Sequence, residues 1–232
     1  MTINWVSIRS EMLSGKPVLV FDSFSREAAV DMVFYAEVIE PTKIRYLRKN
    51  AGGIIEFVSG KLFKELLDLP FMHELFNKTS NKYIRTISSK KPKYGEPPAI
   101  TIWVNHIDTK TGISDRDRAI TIKNLFEVAR LIYRGYVNTA REKFSKEFYM
   151  PGYVPILTSQ GLAYRQGHTE LVTALALITG LIPAMVISEM LSEDGESLSY
   201  EDAKRYARRQ DLSFIEGSDI VVEAEKRGLL ND

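Results

Sequence analysis

The chain has 232 residues, 44% hydrophobic and 26% charged, the balance of an ordinary folded protein rather than a disordered or fibrous one. It contains no cysteine, which excludes a thiolate nucleophile, a disulfide framework, an iron–sulfur cluster and a cysteine-ligated structural zinc. Lys plus Arg total 31 against 30 Asp plus Glu, a formal net charge of +1 that provides no global field for wrapping nucleic acid.

The N-terminus from Met1 to Arg9 has polar and charged positions where a secretory signal needs an apolar core. The longest apolar stretch, near Leu171 to Ile187, is interrupted by Thr173, Thr179, Gly180 and Pro183, so it does not read as a membrane span. No repeat, low-complexity tract or linker divides the sequence. The expectation is one domain over residues 1–232 of a soluble cytoplasmic protein that binds neither membrane nor nucleic acid.

In chain order, Pro17 to Phe21 predicts a buried strand and Met32 to Ile39 a second, more mixed one. Pro41 to Lys49 reads as a helix ending at Ala51-Gly52-Gly53, followed by a strand over Ile54 to Val58 and a short helix over Lys61 to Leu67. Ser88 to Pro98 concentrates Pro, Gly and Lys without periodicity and predicts a surface loop. Ile100 to Val104 is a strand. Ser114 with Asp117 caps a helix running to about Leu131. Strands at Val154 to Leu157 and Ala184 to Ile187 flank an apolar helix from Glu170 to Ile178. Ser199 with Asp202 opens a helix to about Arg209, and Ser218 starts a last one ending near Gly228. Strands and helices interleave from end to end, which predicts a mixed sheet covered by helices.

Three segments concentrate chemistry beside strand ends. Asp22 to Asp31 carries Asp22, Arg26, Glu27 and Asp31 where open sheets hold ligands, although a charged surface turn would read the same way. Arg165-Gln166-Gly167-His168-Thr169-Glu170 precedes the apolar helix. Its backbone and the Thr169 hydroxyl suit a phosphate, Arg165 offers a two-donor grip, and His168 could be a metal ligand or a base, against the plainer reading of a helix cap with an incidental histidine. Thr111 to Arg118 is a turn leading into another helix that could hold an anion through hydroxyls and N–H groups, but capping alone explains Ser114 and Asp117. His106 and His73 read as structural. Arg205, Arg208 and Arg209 stand among Glu201, Asp202 and Asp211 and read as a solvated face.

Together with Ala51-Gly52-Gly53, Pro151-Gly152, Ser188-Glu189-Met190 and Asp194-Gly195, these segments stand in the order and spacing of 3,4-dihydroxy-2-butanone 4-phosphate synthase. The sequence resembles the archaeal form of that family from about Ile8 to Phe214. The resemblance implies an α+β fold, a three-layer α/β/α domain with a mixed sheet. It also implies a homodimeric lyase of riboflavin biosynthesis, with active sites near the subunit interface, that converts ribulose 5-phosphate to a four-carbon ketone phosphate and formate.

By position, the resemblance makes Glu27 and His168 the ligands of Mg2+, or of Mn2+ given the histidine, with up to two ions per site. It makes Arg26, Glu27, Asp31, Thr111, Asp115, Arg165, Gln166, Gly167, His168, Thr169 and Glu189 substrate contacts. Glu189 becomes the acid/base carboxylate, with Glu27 and Asp31 beside it in the catalytic set. Three positions depart from the family pattern. Ala29 replaces a glutamate, Glu56 replaces a cysteine, and Tyr153 replaces a histidine with a phenol, a poor base near neutrality. Two readings stay open. Glu56 and Tyr153 join the catalytic set, Glu56 restoring the carboxylate lost at position 29 if both face one cavity; or the chain is a diverged paralogue that binds a sugar phosphate with lost or altered catalysis.

Overall fold

The computed structural model describes residues 3–93 and 95–231. Seven strands form one mixed sheet: β1 (Val18–Phe21), β2 (Val30–Tyr35), β3 (Glu56–Ser59), β4 (Ile100–His106), β5 (Phe148–Thr158), β6 (Ala184–Glu189) and β7 (Phe214–Glu216). Their order across the sheet is β4-β5-β3-β6-β2-β1-β7. The β3/β5 and β1/β7 pairs are parallel and the other pairs antiparallel.

The helices described are α1 (Trp5–Ser14), α2 (Pro41–Asn50), α3 (Lys61–Leu67), α4 (Met72–Asn77), α5 (Lys82–Ser88), α6 (Asp115–Tyr133), α7 (Val137–Glu147), α8 (His168–Ile178), α9 (Tyr200–Gln210) and α10 (Gly217–Arg227). Helix α8 with α10 covers one sheet face, and α6 with α2, α3 and α7 covers the other. The central strands β1 and β2 are buried along their whole lengths. This explains why they read as continuous apolar runs rather than alternating ones.

The predicted caps are present. Ser114 Oγ accepts from the Asp117 N–H at 3.0 Å and Ser199 Oγ from the Asp202 N–H at 3.2 Å. The final helix begins one residue before Ser218, at Gly217. The second strand is earlier and shorter than the Met32–Ile39 run suggests, because after Tyr35 the chain tightens into a 3-10 turn over Ala36–Val38. The third begins at Glu56 rather than Ile54, whose side chain is exposed.

The strand expected over Val154–Leu157 extends back to Phe148. Its outer half pairs with Asn105 and His106 of β4, through Pro151 and Gly152, residues that mask a strand in sequence. Helices α1, α4, α5 and α7, and strand β7, were not anticipated. Helices α4 and α5 bury no residue and α7 buries Ala140 alone, so no apolar periodicity marks them.

Candidate active site

Strand register assembles one side of the site. Asp31 on β2 lies directly opposite Glu189 on β6, and Glu56 on β3 lies opposite Ile187, two residues before Glu189. Side chains two apart on a strand share a face, so Asp31, Glu189, Ile187 and Glu56 project to the same side of the sheet. Farther across, Leu157 of β5 and Ile100 of β4 continue this surface. A cavity of about 220 Å³ opens on it, lined by these residues with Glu27, Arg165, His168 and Thr169.

Two loops and a helix start complete the walls. Between β1 and β2, the buried Asp22 carboxylate accepts from the backbone N–H of Glu27 and of Ala29, each at 3.0 Å. Asp22 therefore acts as a staple that shapes the turn carrying Arg26 and Glu27. Gly53 gives its N–H to the Glu189 carbonyl at 3.0 Å. A Cβ there would stand 2.8 Å from that same oxygen, so only glycine permits this approach to the end of β6.

At the start of α8 the N-cap is Gly167, and no side chain caps the first N–H groups. A Cβ at Gly167 would lie 3.1 Å from an Nη2 atom of both Arg165 and Arg26, which shows how closely the two guanidiniums approach this helix start. Arg165 Nη1 and His168 Nε2 are buried without a hydrogen-bond partner. The unpaired guanidinium donor beside an uncapped helix N-terminus favours an anion, whereas the imidazole Nε2 either donates or, in the neutral ring, offers its lone pair to a cation.

Charge is concentrated here. Burial raises the Asp31 carboxyl to about 6, against the opposing pull of His168 and with the help of Glu189, Glu27 and Asp22. Burial, then the charges of Asp31, Glu189 and Glu27, push Glu56 up to about 8. Burial by itself would lower His168, but Asp31, Asp22, Glu27 and Glu189 outweigh it and hold the imidazole above its ordinary value. The His168 Nδ1 atom is 4.0 Å from Asp31 Oδ2. Carboxylates packed this closely disfavour one another's charge, and a bound cation relieves that repulsion.

The sequence model of the 3,4-dihydroxy-2-butanone 4-phosphate synthase family matches residues 7–223. The chain belongs to that family. A 3,4-dihydroxy-2-butanone 4-phosphate synthase of Methanosarcina mazei is 39% identical over 215 residues, covering 90% of this chain and 85% of that one. One from Archaeoglobus fulgidus is 37% identical over 218 residues, 91% of this chain and 90% of that one. A solved structure of 3,4-dihydroxy-2-butanone 4-phosphate synthase in complex with two magnesium ions superposes with a TM-score of 0.74 at 23% identity. It covers 97% of both chains, a likeness of fold.

Of the residues that the family resemblance nominates, Glu27, Asp31, Glu56, Arg165, His168, Thr169 and Glu189 line this one cavity. Arg26 and Gly167 adjoin it through the start of α8. Gln166 is exposed, and Ala29 is buried outside the lining. Thr111, Asp115 and Tyr153 also lie outside the lining. Asp115 is bound by Arg48 at 2.9 Å and Arg118 at 3.1 Å, and Tyr153 is half exposed farther along β5 from Leu157. His106 is held by Glu147 at 3.3 Å, and His73 stacks on Phe71. Arg205 pairs with Asp202 on its own helix.

The Thr111 hydroxyl donates to Asp117, whose carboxylate also accepts from the N–H groups of Lys110, Thr111 and Gly112. The Thr111 N–H foremost, opposed by burial and aided by Gly112 and Lys110, brings the Asp117 carboxyl down to about 2. Asp117→Ala strands these donors. Some of them reach water, so we expect a loss of about 2 kcal/mol in denaturant unfolding, and a loss near zero would refute this anchoring role. Because the folded value lies below the ordinary 3.8, the stabilisation is complete above pH 3.8 and disappears as pH falls through about 2. The alanine variant should lack that component of acid unfolding.

Two partners were not anticipated from sequence. Glu170 is buried with its Oε2 atom 3.7 Å from Arg165 Nε. Glu96, in the segment read as a Pro-, Gly- and Lys-rich surface loop, accepts from Arg26 Nη1 at 2.9 Å and from Arg165 Nε at 3.2 Å. A separation of about 70 residues carries no local signal of such a contact.

Proposed function

We propose that the chain converts D-ribulose 5-phosphate to 3,4-dihydroxy-2-butanone 4-phosphate and formate, a metal-dependent carbon–carbon lyase step of riboflavin biosynthesis. The observation that carries this reading is a single cavity joining the carboxylates Glu27, Asp31, Glu56 and Glu189 to the uncapped, arginine-flanked start of α8. Arg165, Arg26, Thr169 and the first N–H groups of the helix hold the phosphate, which fixes the far end of the sugar and positions its reacting carbons.

The donor set fits a divalent ion in part. Among the described residues, no three His, Asp or Glu side chains are already arranged to hold a metal. Magnesium, however, keeps several waters and needs only one or two carboxylates plus substrate oxygens. Glu27 would supply the hard oxygen, and the unpartnered Nε2 of His168 the second ligand, with Asp31 facing the other ring nitrogen. Mg2+ or Mn2+ suits this pair, with up to two ions per site. When bound, the ion polarises adjacent substrate oxygens and offsets the surrounding negative charge.

Proton movement falls to Glu189. Ser197 Oγ donates to its Oε1 atom, leaving Oε2 to take a proton from the carbon beside the ketone and to return it later. Asp31 and Glu56 project to the same side of the sheet as Glu189, and burial raises the proton affinity of both.

We also assign the active form as a cytoplasmic homodimer, each protomer acting as one unit over residues 1–232. Tyr149, Met150 and Tyr153 on the outer half of β5, with Ile107 and Ile113 nearby in sequence to β4, expose apolar surface suited to a second copy. Thr111, Asp115 and Tyr153 lie on this part of the molecule, consistent with sites near the interface. Among the described residues, no helix is long and apolar enough to cross a membrane.

The test is purified protein with ribulose 5-phosphate and magnesium. Stoichiometric formate is expected, with none from unphosphorylated ribulose. Saturable binding of the sugar phosphate without formate would instead establish the diverged, non-catalytic alternative.

A further inference from the structure

The contact between Glu96 and the two arginines has no place in the chemistry described above. The Glu96 carboxylate bridges Arg26 Nη1 and Arg165 Nε through one oxygen, on the same two guanidiniums whose Nη2 atoms approach the start of α8. Both guanidiniums are largely buried, with side-chain exposures of 15% and 6%, whereas the Glu96 side chain is 38% exposed. The arginines are thus built into the protein and the carboxylate reaches them from outside.

Two carboxylates share these cations, and they differ in how they are held. Glu170 is fully buried within α8 and is fixed. Glu96 belongs to the irregular segment between α5 and β4 and is followed by Pro97 and Pro98, which have no N–H with which to anchor the backbone. A second cavity of about 200 Å³ lies on the Glu96 side of Arg165, where Lys91 and His73 join its lining. It gives a displaced carboxylate both space and a new cation.

We propose that Glu96 is an internal competitor for the substrate's phosphate, seated on Arg26 and Arg165 in the free protein and displaced when the phosphate binds. This deepens the proposed function and rests on its assignment of those arginines to the phosphate. With Glu96 in place, two positive charges face two carboxylates, so an incoming dianion meets a cluster that is already neutralised. Displacement of Glu96 exposes one net positive charge and frees Arg26 Nη1 and Arg165 Nε for the ligand, beside the Arg165 Nη1 that already lacks a partner. A carboxylate tethered on the same chain competes at high effective concentration. Apparent affinity falls by the fraction of molecules in which the arginines are open.

Such a competitor acts on phosphorylated ligands and is silent towards neutral ones. It therefore sets how strongly the site depends on a full phosphate dianion, a specificity role that a carboxylate merely orienting the arginines would not have. An orienting role predicts the opposite sign, because its loss would loosen the guanidiniums and weaken binding.

The experiment is calorimetric titration of inorganic phosphate, ribulose 5-phosphate and unphosphorylated ribulose into wild type, Glu96→Gln and Arg165→Lys. Glu96→Gln keeps the size of the side chain and removes the charge. We expect it to bind both phosphorylated ligands roughly tenfold more tightly, the worth of one charge-assisted contact, with ribulose unchanged. Phosphate should also raise the melting temperature of Glu96→Gln more than that of wild type. Equal or weaker phosphate binding by Glu96→Gln overturns the proposal. If Arg165→Lys still loses phosphate affinity in that case, the assignment of the arginines survives and only the role of Glu96 fails. If phosphate binds to neither wild type nor Glu96→Gln, both assignments fall.

Discussion

We expect Glu189→Gln to lower formate production from ribulose 5-phosphate by about 100- to 10,000-fold, the usual range for removal of a positioned acid–base group. The amide still accepts from Ser197 and fills the same space at the end of β6, so the backbone contact with Gly53 and the register with Asp31 are retained. It cannot take a proton from carbon. Binding of ribulose 5-phosphate, read by calorimetry, should change little, because the proposed phosphate grip lies at α8. This combination of lost turnover and retained affinity separates a catalytic role from a structural one. Turnover within tenfold of wild type would move the proton step to Asp31 or Glu56.

The second large effect concerns the metal. Glu27→Ala and His168→Ala should each weaken magnesium or manganese binding by at least tenfold. Even loss of a group that only orients a ligand typically costs about 10- to 100-fold. Glu27 is exposed on a turn shaped by Asp22, so its removal should leave stability nearly unaltered. His168 is buried at the first turn of α8, and its removal should also lower the melting temperature. Direct titration of the ion into the protein without substrate is the measurement. Unchanged affinity in both variants would rule out this ligand pair.

Glu56 illustrates how the site was and was not legible. Its substitution for the family's cysteine is visible in sequence, but whether it could join the carboxylates at positions 27, 31 and 189 depends on pairing between β3 and β6. Glu56 is two residues out of step with Glu189 and on the same face, and a slip of one residue would have turned it away. Ala29 is only two residues from Asp31, yet it is buried and does not line the cavity. The family resemblance places Tyr153 among the reacting groups, where a histidine is usual, but within one chain it sits on the exposed half of β5.

Local physics, written in adjacent residues, accounts for what the sequence by itself determined. The hydroxyl and carboxylate spacing of Ser114 with Asp117 and of Ser199 with Asp202, the proline at the head of α2 and the unbroken apolar runs of β1 and β6 act over one turn or one strand, so they can be read without knowing the fold. The segment from Arg165 to Glu170 belongs to the same class, because a helix start and its polar residues are contiguous. The tertiary structure alone decided which of these segments meet. Asp31 reaches Glu189 across a strand pair 158 residues apart in number, Gly53 reaches the same strand end through a backbone approach, and Glu96 reaches Arg26 and Arg165 from an unpatterned loop. These contacts depend on sheet order and loop closure, which are set by burial summed over the whole core, and no short stretch of residues encodes that sum.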